Sequence, residues 1–181
     1  MKNNLYYPQV SLSDKEIFAE IKKEREVIGY YSLPYVDTTV LKTRLDDLNF
    51  PQKQIAIIGI GGSTLGTYAI YNFMKYNKQH NKSLKKEIFF FESTDPVNLN
   101  GTLAQLNLND TLFIVISKSG TTIETISIFK YLMSITKIDK SNLLVITEDD
   151  SKLNTFARAN DINYFDIPKN VGGRFSVLSN V

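Results

Sequence analysis

Three short segments of the chain carry residue types and spacings suited to holding an anion. Ser117-Lys118-Ser119-Gly120-Thr121-Thr122-Ile123-Glu124 sets four hydroxyls and one ammonium within six residues, after an apolar run and before a helical stretch. Hydroxyl donors and the positive end of a helix together suit a phosphate oxyanion. Thr121 and Glu124 also have the spacing of a capping box, a structural use of the same residues. Gly59-Ile60-Gly61-Gly62-Ser63-Thr64-Leu65-Gly66 follows another apolar run and would let backbone N–H groups approach an anion. A dinucleotide fingerprint would need Gly or Ala where Thr64 stands, and a P-loop would need Lys where Thr67 stands. Val171-Gly172-Gly173-Arg174-Phe175-Ser176 places an Arg on a turn. A permanently charged, planar guanidinium can stabilise an anionic intermediate without surrendering a proton.

These segments need a scaffold that brings them together, and the pattern after Pro51 supplies one. Apolar runs of strand length, rich in Ile, Val and Phe, occupy Ile55–Gly61, Glu87–Glu92, Thr111–Ser117, Asn142–Thr147 and Asn163–Ile167. Helical stretches at Leu65–Tyr76, Pro96–Leu106, Thr122–Ile135 and Lys152–Ala159 separate them. Strands with few polar interruptions require a sheet covered on both faces, so the alternation predicts a doubly wound, five-stranded parallel α/β sheet. In the flavodoxin-like order 2-1-3-4-5 the crevice opens between strands 1 and 3, where the first two segments would meet. Before Pro51, Ser13 to Val27 predicts an amphipathic helix opened by a Ser13/Glu16 capping box, and Thr39–Leu48 a second short helix. Residues 1–50 therefore read as a helical arm and 51–181 as the α/β domain.

Composition narrows the function classes. With 43% hydrophobic and 22% charged residues the chain is an ordinary globular sequence. Its 21 basic and 19 acidic residues are scattered, with no basic stripe for nucleic acid. Zero cysteines remove disulfide scaffolds, thiolate metal sites and cysteine nucleophiles. No apolar run approaches the ~20 residues of a membrane span, and the start lacks a signal-peptide core, so a cytoplasmic location is expected. His80, the single histidine, sits in a polar stretch and reads as solvated. A nucleotide-binding oxidoreductase would use Glu92 as its ribose-binding acid, but that residue lies about 30 positions past the Gly-rich turn instead of ~20.

GIGGSTLG, SKSGTTIET and VGGRFS, in this order and at these separations, resemble the glucose-6-phosphate isomerase family, over Ile55 to the end of the chain. The resemblance implies a sugar isomerase domain that binds sugar phosphate, with phosphate contacts on Ser117, Ser119 and Thr122 and with Lys118 beside them. It implies that Gly62 and Ser63 line the sugar, and that Arg174, with Gly173, steadies an enediolate. Glu124 matches the family's acid that orients a ring-opening histidine from the partner subunit. The implied reaction interconverts glucose 6-phosphate and fructose 6-phosphate through a cis-enediol, with no metal or nucleotide cofactor, in a homodimer. The family's base, ring-opening His and Lys would fall beyond Val181, so the chain is expected to be a fragment that binds substrate without turning it over. Lys169 departs from the pattern, which has an acid two residues before Val171. A non-catalytic sugar-phosphate sensor is the alternative; VGGRFS favours the isomerase, and no DNA-binding helix pair is apparent.

Overall fold

Parallel pairing of five short strands builds the centre of the molecule. In the computed structural model, which describes residues 13–76 and 86–181, they are β1 (Gln54–Ile58), β2 (Glu87–Phe91), β3 (Thr111–Ser117), β4 (Leu143–Thr147) and β5 (Asn163–Asp166). Their order across the sheet is β2-β1-β3-β4-β5, every pair parallel, as the flavodoxin-like reading requires. Helices α3 (Leu65–Tyr76), α4 (Pro96–Leu103), α5 (Ile123–Ile135) and α6 (Lys152–Ala159) connect successive strands. Among the described residues no helix is long and apolar enough to cross a membrane. His80 lies outside the described residues.

The alternation of side chains along each strand divides the core into two layers. Ala56, Ile58, Phe113, Val115, Leu143 and Val145 face one way and pack with Ile128, Phe129 and Leu132 of α5 and Leu153 and Ala157 of α6. Ile57, Ile116, Leu144, Ile146 and Phe165 face the other way. That second face is covered in part by the arm. Helix α1 (Asp14–Glu24) begins with the expected Ser13/Glu16 capping box, and α2 (Thr39–Leu48) brings Leu41 and Leu48 onto the second layer beside Phe50. Arg44 fastens the arm further, donating to the Tyr164 carbonyl at 3.2 Å and lying 4.5 Å over the Phe165 ring.

Several element ends fall short of the sequence expectation by one to three residues, and one expected cap is absent. β1 ends at Ile58 because the chain must turn: Gly61 has φ +62, a conformation closed to most residues, and Gly61–Ser63 coil into a 3₁₀ turn. α4 ends at Leu103, after which two tighter turns close through Gln105 N–H to Thr102 O and Leu106 N–H to Leu103 O. The Thr121/Glu124 capping box does not form. Thr122 is the N-cap of α5 and makes no side-chain cap bond, because its hydroxyl accepts instead from Ser117 Oγ at 3.0 Å.

Candidate functional site

At the carboxyl ends of β1, β3, β4 and β5 four loops converge on one open cleft of about 530 Å³. It is lined by Ile60, Gly62, Ser63, Lys118, Ser119, Thr122, Glu148, Gly173 and Arg174. Seven of the nine residues singled out for substrate or catalysis thus share one cavity, although they come from loops far apart in the chain. Ser117 and Glu124 are the two that stand outside its lining.

The local folding of each loop explains the convergence. β3 runs buried to Ser117, and Gly120, at φ +65, turns the chain back so that Gly120 N–H reaches Ser117 O at 3.1 Å. This turn leaves Ser119 exposed, its Oγ accepting from the Thr121 hydroxyl at 3.1 Å and from Thr121 N–H at 3.3 Å. Ser117 is only 1% exposed and lies beneath the cleft, where its hydroxyl donates to Thr122 Oγ1 and orients it. Glu124 occupies the first turn of α5, whose N-terminus opens beside Thr122.

The Gly-rich turn and the VGGRFS turn touch directly. The carbonyl of Gly62 accepts from Ser176 Oγ at 3.3 Å, and the same hydroxyl donates to Gly173 O at 2.8 Å. The contact is so close that a Cβ on Gly62 would collide with the Gly173 carbonyl oxygen and lie 2.7 Å from Arg174 Cα. Gly66 is packed likewise against Val177. Arg174 itself is exposed and has no side-chain hydrogen bond among the described residues, so its guanidinium is available to a ligand.

Lys118 ties three loops together. Its Nζ donates to the Lys169 carbonyl at 3.0 Å and lies 3.4 Å from Glu148 Oε2, while Glu148 N–H donates to the Lys118 carbonyl at 3.0 Å. Thr147 adds a further link, donating its hydroxyl to Ser117 O at 2.6 Å. Lys169, the residue that departs from the family pattern, holds its place by its backbone carbonyl, and its ammonium reaches Asp150 at 3.3 Å. Glu148 and Ile60 are lining residues that the sequence reading missed. Glu148 heads the run Glu-Asp-Asp-Ser, which reads as a solvated turn; only its position directly after the apolar run of β4 could have marked it.

Electrostatically the lining carries two cations, Lys118 and Arg174, against one carboxylate, Glu148. Adding the exposed hydroxyls and the α5 N-terminus, the cleft can hold a singly or doubly charged oxyanion at one end.

A family model described as phosphoglucose isomerase matches residues 51–181, which include every residue lining the cleft. The glucose-6-phosphate isomerase of Campylobacter jejuni is 37% identical over 195 residues, an alignment covering 100% of this chain and 46% of that protein. A probable glucose-6-phosphate isomerase of Methanococcus maripaludis is 36% identical, with 90% of this chain and 38% of that protein covered. Among solved structures, a glucose-6-phosphate isomerase from Chlamydia trachomatis superposes with a TM-score of 0.61 at 25% identity, covering 94% of this chain and 30% of its own. The chain thus spans less than half the length of these relatives. On the match of 72% of its length to that one family model, supported by these relatives, the chain belongs to the phosphoglucose isomerase family.

Proposed function

We propose that this chain is the phosphosugar-binding portion of an aldose–ketose isomerase that interconverts glucose 6-phosphate and fructose 6-phosphate through a cis-enediol. The observation that carries this reading is the single cleft uniting Gly62, Ser63, Lys118, Ser119, Thr122, Gly173 and Arg174. Ser119 and Thr122 donate hydroxyls to the phosphate at the N-terminus of α5, and Ser117 sets the Thr122 rotor from below. Gly62 and Ser63 border the sugar, where the absence of a side chain at Gly62 lets the ligand and the Arg174 loop approach the same backbone.

Moving a proton between C2 and C1 develops negative charge on the sugar oxygens, and a fixed cation there lowers the barrier more than it favours the ground state. Arg174 fills that role. The proton itself needs a carboxylate base within hydrogen-bond reach. Glu148, the carboxylate in the lining, is engaged with Lys118 and so serves to hold that lysine; the base and the ring-opening groups belong outside this chain. Glu124 takes the task of orienting a partner's histidine in a homodimer of the whole protein. Residues 51–181 form the sugar isomerase domain and residues 1–50 an arm upon it. The protein works in the cytoplasm with no cofactor.

Calorimetric titration with fructose 6-phosphate, with NADH as the control, tests the assignment. The chain binds the sugar phosphate, and the Ser119→Ala plus Thr122→Ala double variant loses that binding. Binding of NADH alone would overturn the reading.

A further inference from the structure

Among the described residues Arg174 has no side-chain partner, so the position of its guanidinium depends on the backbone of the turn that carries it. That turn is held on two sides by a segment far away in sequence. On the amino side, Gly29 N–H donates to the Asn170 carbonyl at 2.9 Å, and Asn170 Nδ2 donates to the Val27 carbonyl at 3.4 Å. The Asn170 side chain occupies the space a Cβ on Gly29 would need, and Gly29 is buried. On the carboxyl side, the Phe175 ring packs on the Tyr30 ring with centroids 4.6 Å apart, and Tyr30 rests in turn on Tyr31 at 4.3 Å. The gripping segment is itself fixed: Ser32 Oγ closes its 3₁₀ turn by donating to Gly29 O at 2.8 Å, and Leu33 behind it is buried.

From this double contact we infer that the Gly29–Tyr31 turn of the arm is a positioning element for Arg174, holding the VGGRFS turn at the distance its charge needs. The inference rests on the reading of Arg174 as the group that meets the enediolate. Asn170 and Phe175 lie on either side of Gly172-Gly173-Arg174, so the arm closes a clamp around the turn that brings Gly173 and the exposed Arg174 into the cleft. The arm lies outside the residues 51–181 that the family model matches. The arm thus adds a hold on Arg174 that is separate from the contacts of the Gly-rich turn and Lys118 with the same segment. Small displacements of a charge-stabilising group reduce its effect steeply, because the interaction was set for one geometry.

The clamp makes two effects separable. Tyr30→Ala removes the ring beneath Phe175 while leaving the Ser119 and Thr122 hydroxyls untouched. Amide hydrogen exchange at Phe175, whose N–H donates to Gly172 O at 2.8 Å, then rises roughly tenfold or more through local opening, with strand amides unchanged. Tyr30→Phe, which keeps the ring, restores the parent rate. Binding is read with two probes: inorganic phosphate, and arabinonate 5-phosphate, whose carboxylate carries charge where an enediolate would. Tyr30→Ala loses about tenfold in affinity for the aldonate and leaves phosphate affinity unchanged. Arg174→Ala separates the two ideas. If it leaves aldonate affinity unchanged, the assignment of Arg174 fails; if it weakens the aldonate and Tyr30→Ala does not, the clamp alone is overturned. An unchanged exchange rate at Phe175 in Tyr30→Ala also overturns the clamp, independently of any ligand.

Discussion

The close approach of the two glycine turns predicts an asymmetry between Gly62 and Gly173. A Cβ added to Gly62 meets the Gly173 carbonyl and stands 2.7 Å from Arg174 Cα, whereas one added to Gly173 meets nothing within 4 Å. Carbon atoms rest at about 3.5–4.0 Å, so Gly62→Ala must move the turns about 1 Å apart. Both colliding atoms are backbone, and neither can swing aside as a side chain would. Forced overpacking of this kind costs about 1–3 kcal/mol. For a chain of this size a loss of ~2 kcal/mol lowers Tm by about 4–8 °C. The same movement stretches the Ser176 hydroxyl away from Gly62 O, already 3.3 Å distant, and carries Arg174 out of line with the phosphate loop. Gly62→Ala is therefore expected to lower both Tm and fructose 6-phosphate affinity, and Gly173→Ala to leave Tm within about 1 °C of the parent. Thermal melts read by circular dichroism, with calorimetric titration on the same samples, decide it. Equal melting temperatures for the two variants would refute the argument from close approach.

Two further outcomes follow from local chemistry. Among the described residues Thr125 Oγ1 is buried without a hydrogen-bond partner, so Thr125→Val replaces an unsatisfied hydroxyl by a methyl of similar shape and should raise stability by about 1 kcal/mol in urea unfolding. The Ser141 hydroxyl and backbone N–H, with Lys137 nearby, hold the Asp139 carboxyl down to about 2 from an ordinary 3.8. A depressed carboxyl stabilises the fold above the unfolded value and loses that contribution as pH falls from about 4 through about 2. Ser141→Ala should accordingly return the Asp139 titration toward 3.8 in a carbon-detected NMR series, and an unmoved midpoint would count against the hydroxyl as the main cause.

The strands were legible because a sheet buried on both faces leaves an unbroken apolar run, and β3 in particular keeps the bounds Thr111–Ser117 expected of it. Helices α2, α3 and α6 likewise begin and end where the sequence indicates, since Ser151 caps α6 and Asn49, at φ 39, ends α2. What escaped was structure without periodicity. The 3₁₀ turns at Gly61–Ser63 and Gly173–Leu178 are set by contact between two distant loops, and no local pattern encodes a contact across more than a hundred residues. The contacts of Gly29 and Tyr30 escaped for the same reason, since neither residue type announces its partner.

The failed capping box at Thr121 and Glu124 shows how the site overrides local propensity. A cap bond from Thr122 or Thr121 would satisfy one helix N–H, worth ~1 kcal/mol, and would bury a donor that the cleft uses. In the structure Thr122 is instead turned to Ser117, and no side chain caps the helix. The open N-terminus of α5 therefore keeps its partial positive charge facing the cleft, where an oxyanion can satisfy it. Lys118 follows the same logic in reverse. Its ammonium is shared by Glu148 and the Lys169 carbonyl, so its first duty is to tie the β3, β4 and β5 loops into one wall. On the proposed reading, phosphate affinity then rests on hydroxyls and backbone amides, which carry no net charge, and Arg174 is the cation of the lining with no side-chain partner among the described residues. If the proposed phosphate site is right, such a cleft binds the phosphate end of a substrate without drawing Arg174 toward it and keeps that charge for the sugar end, where charge develops.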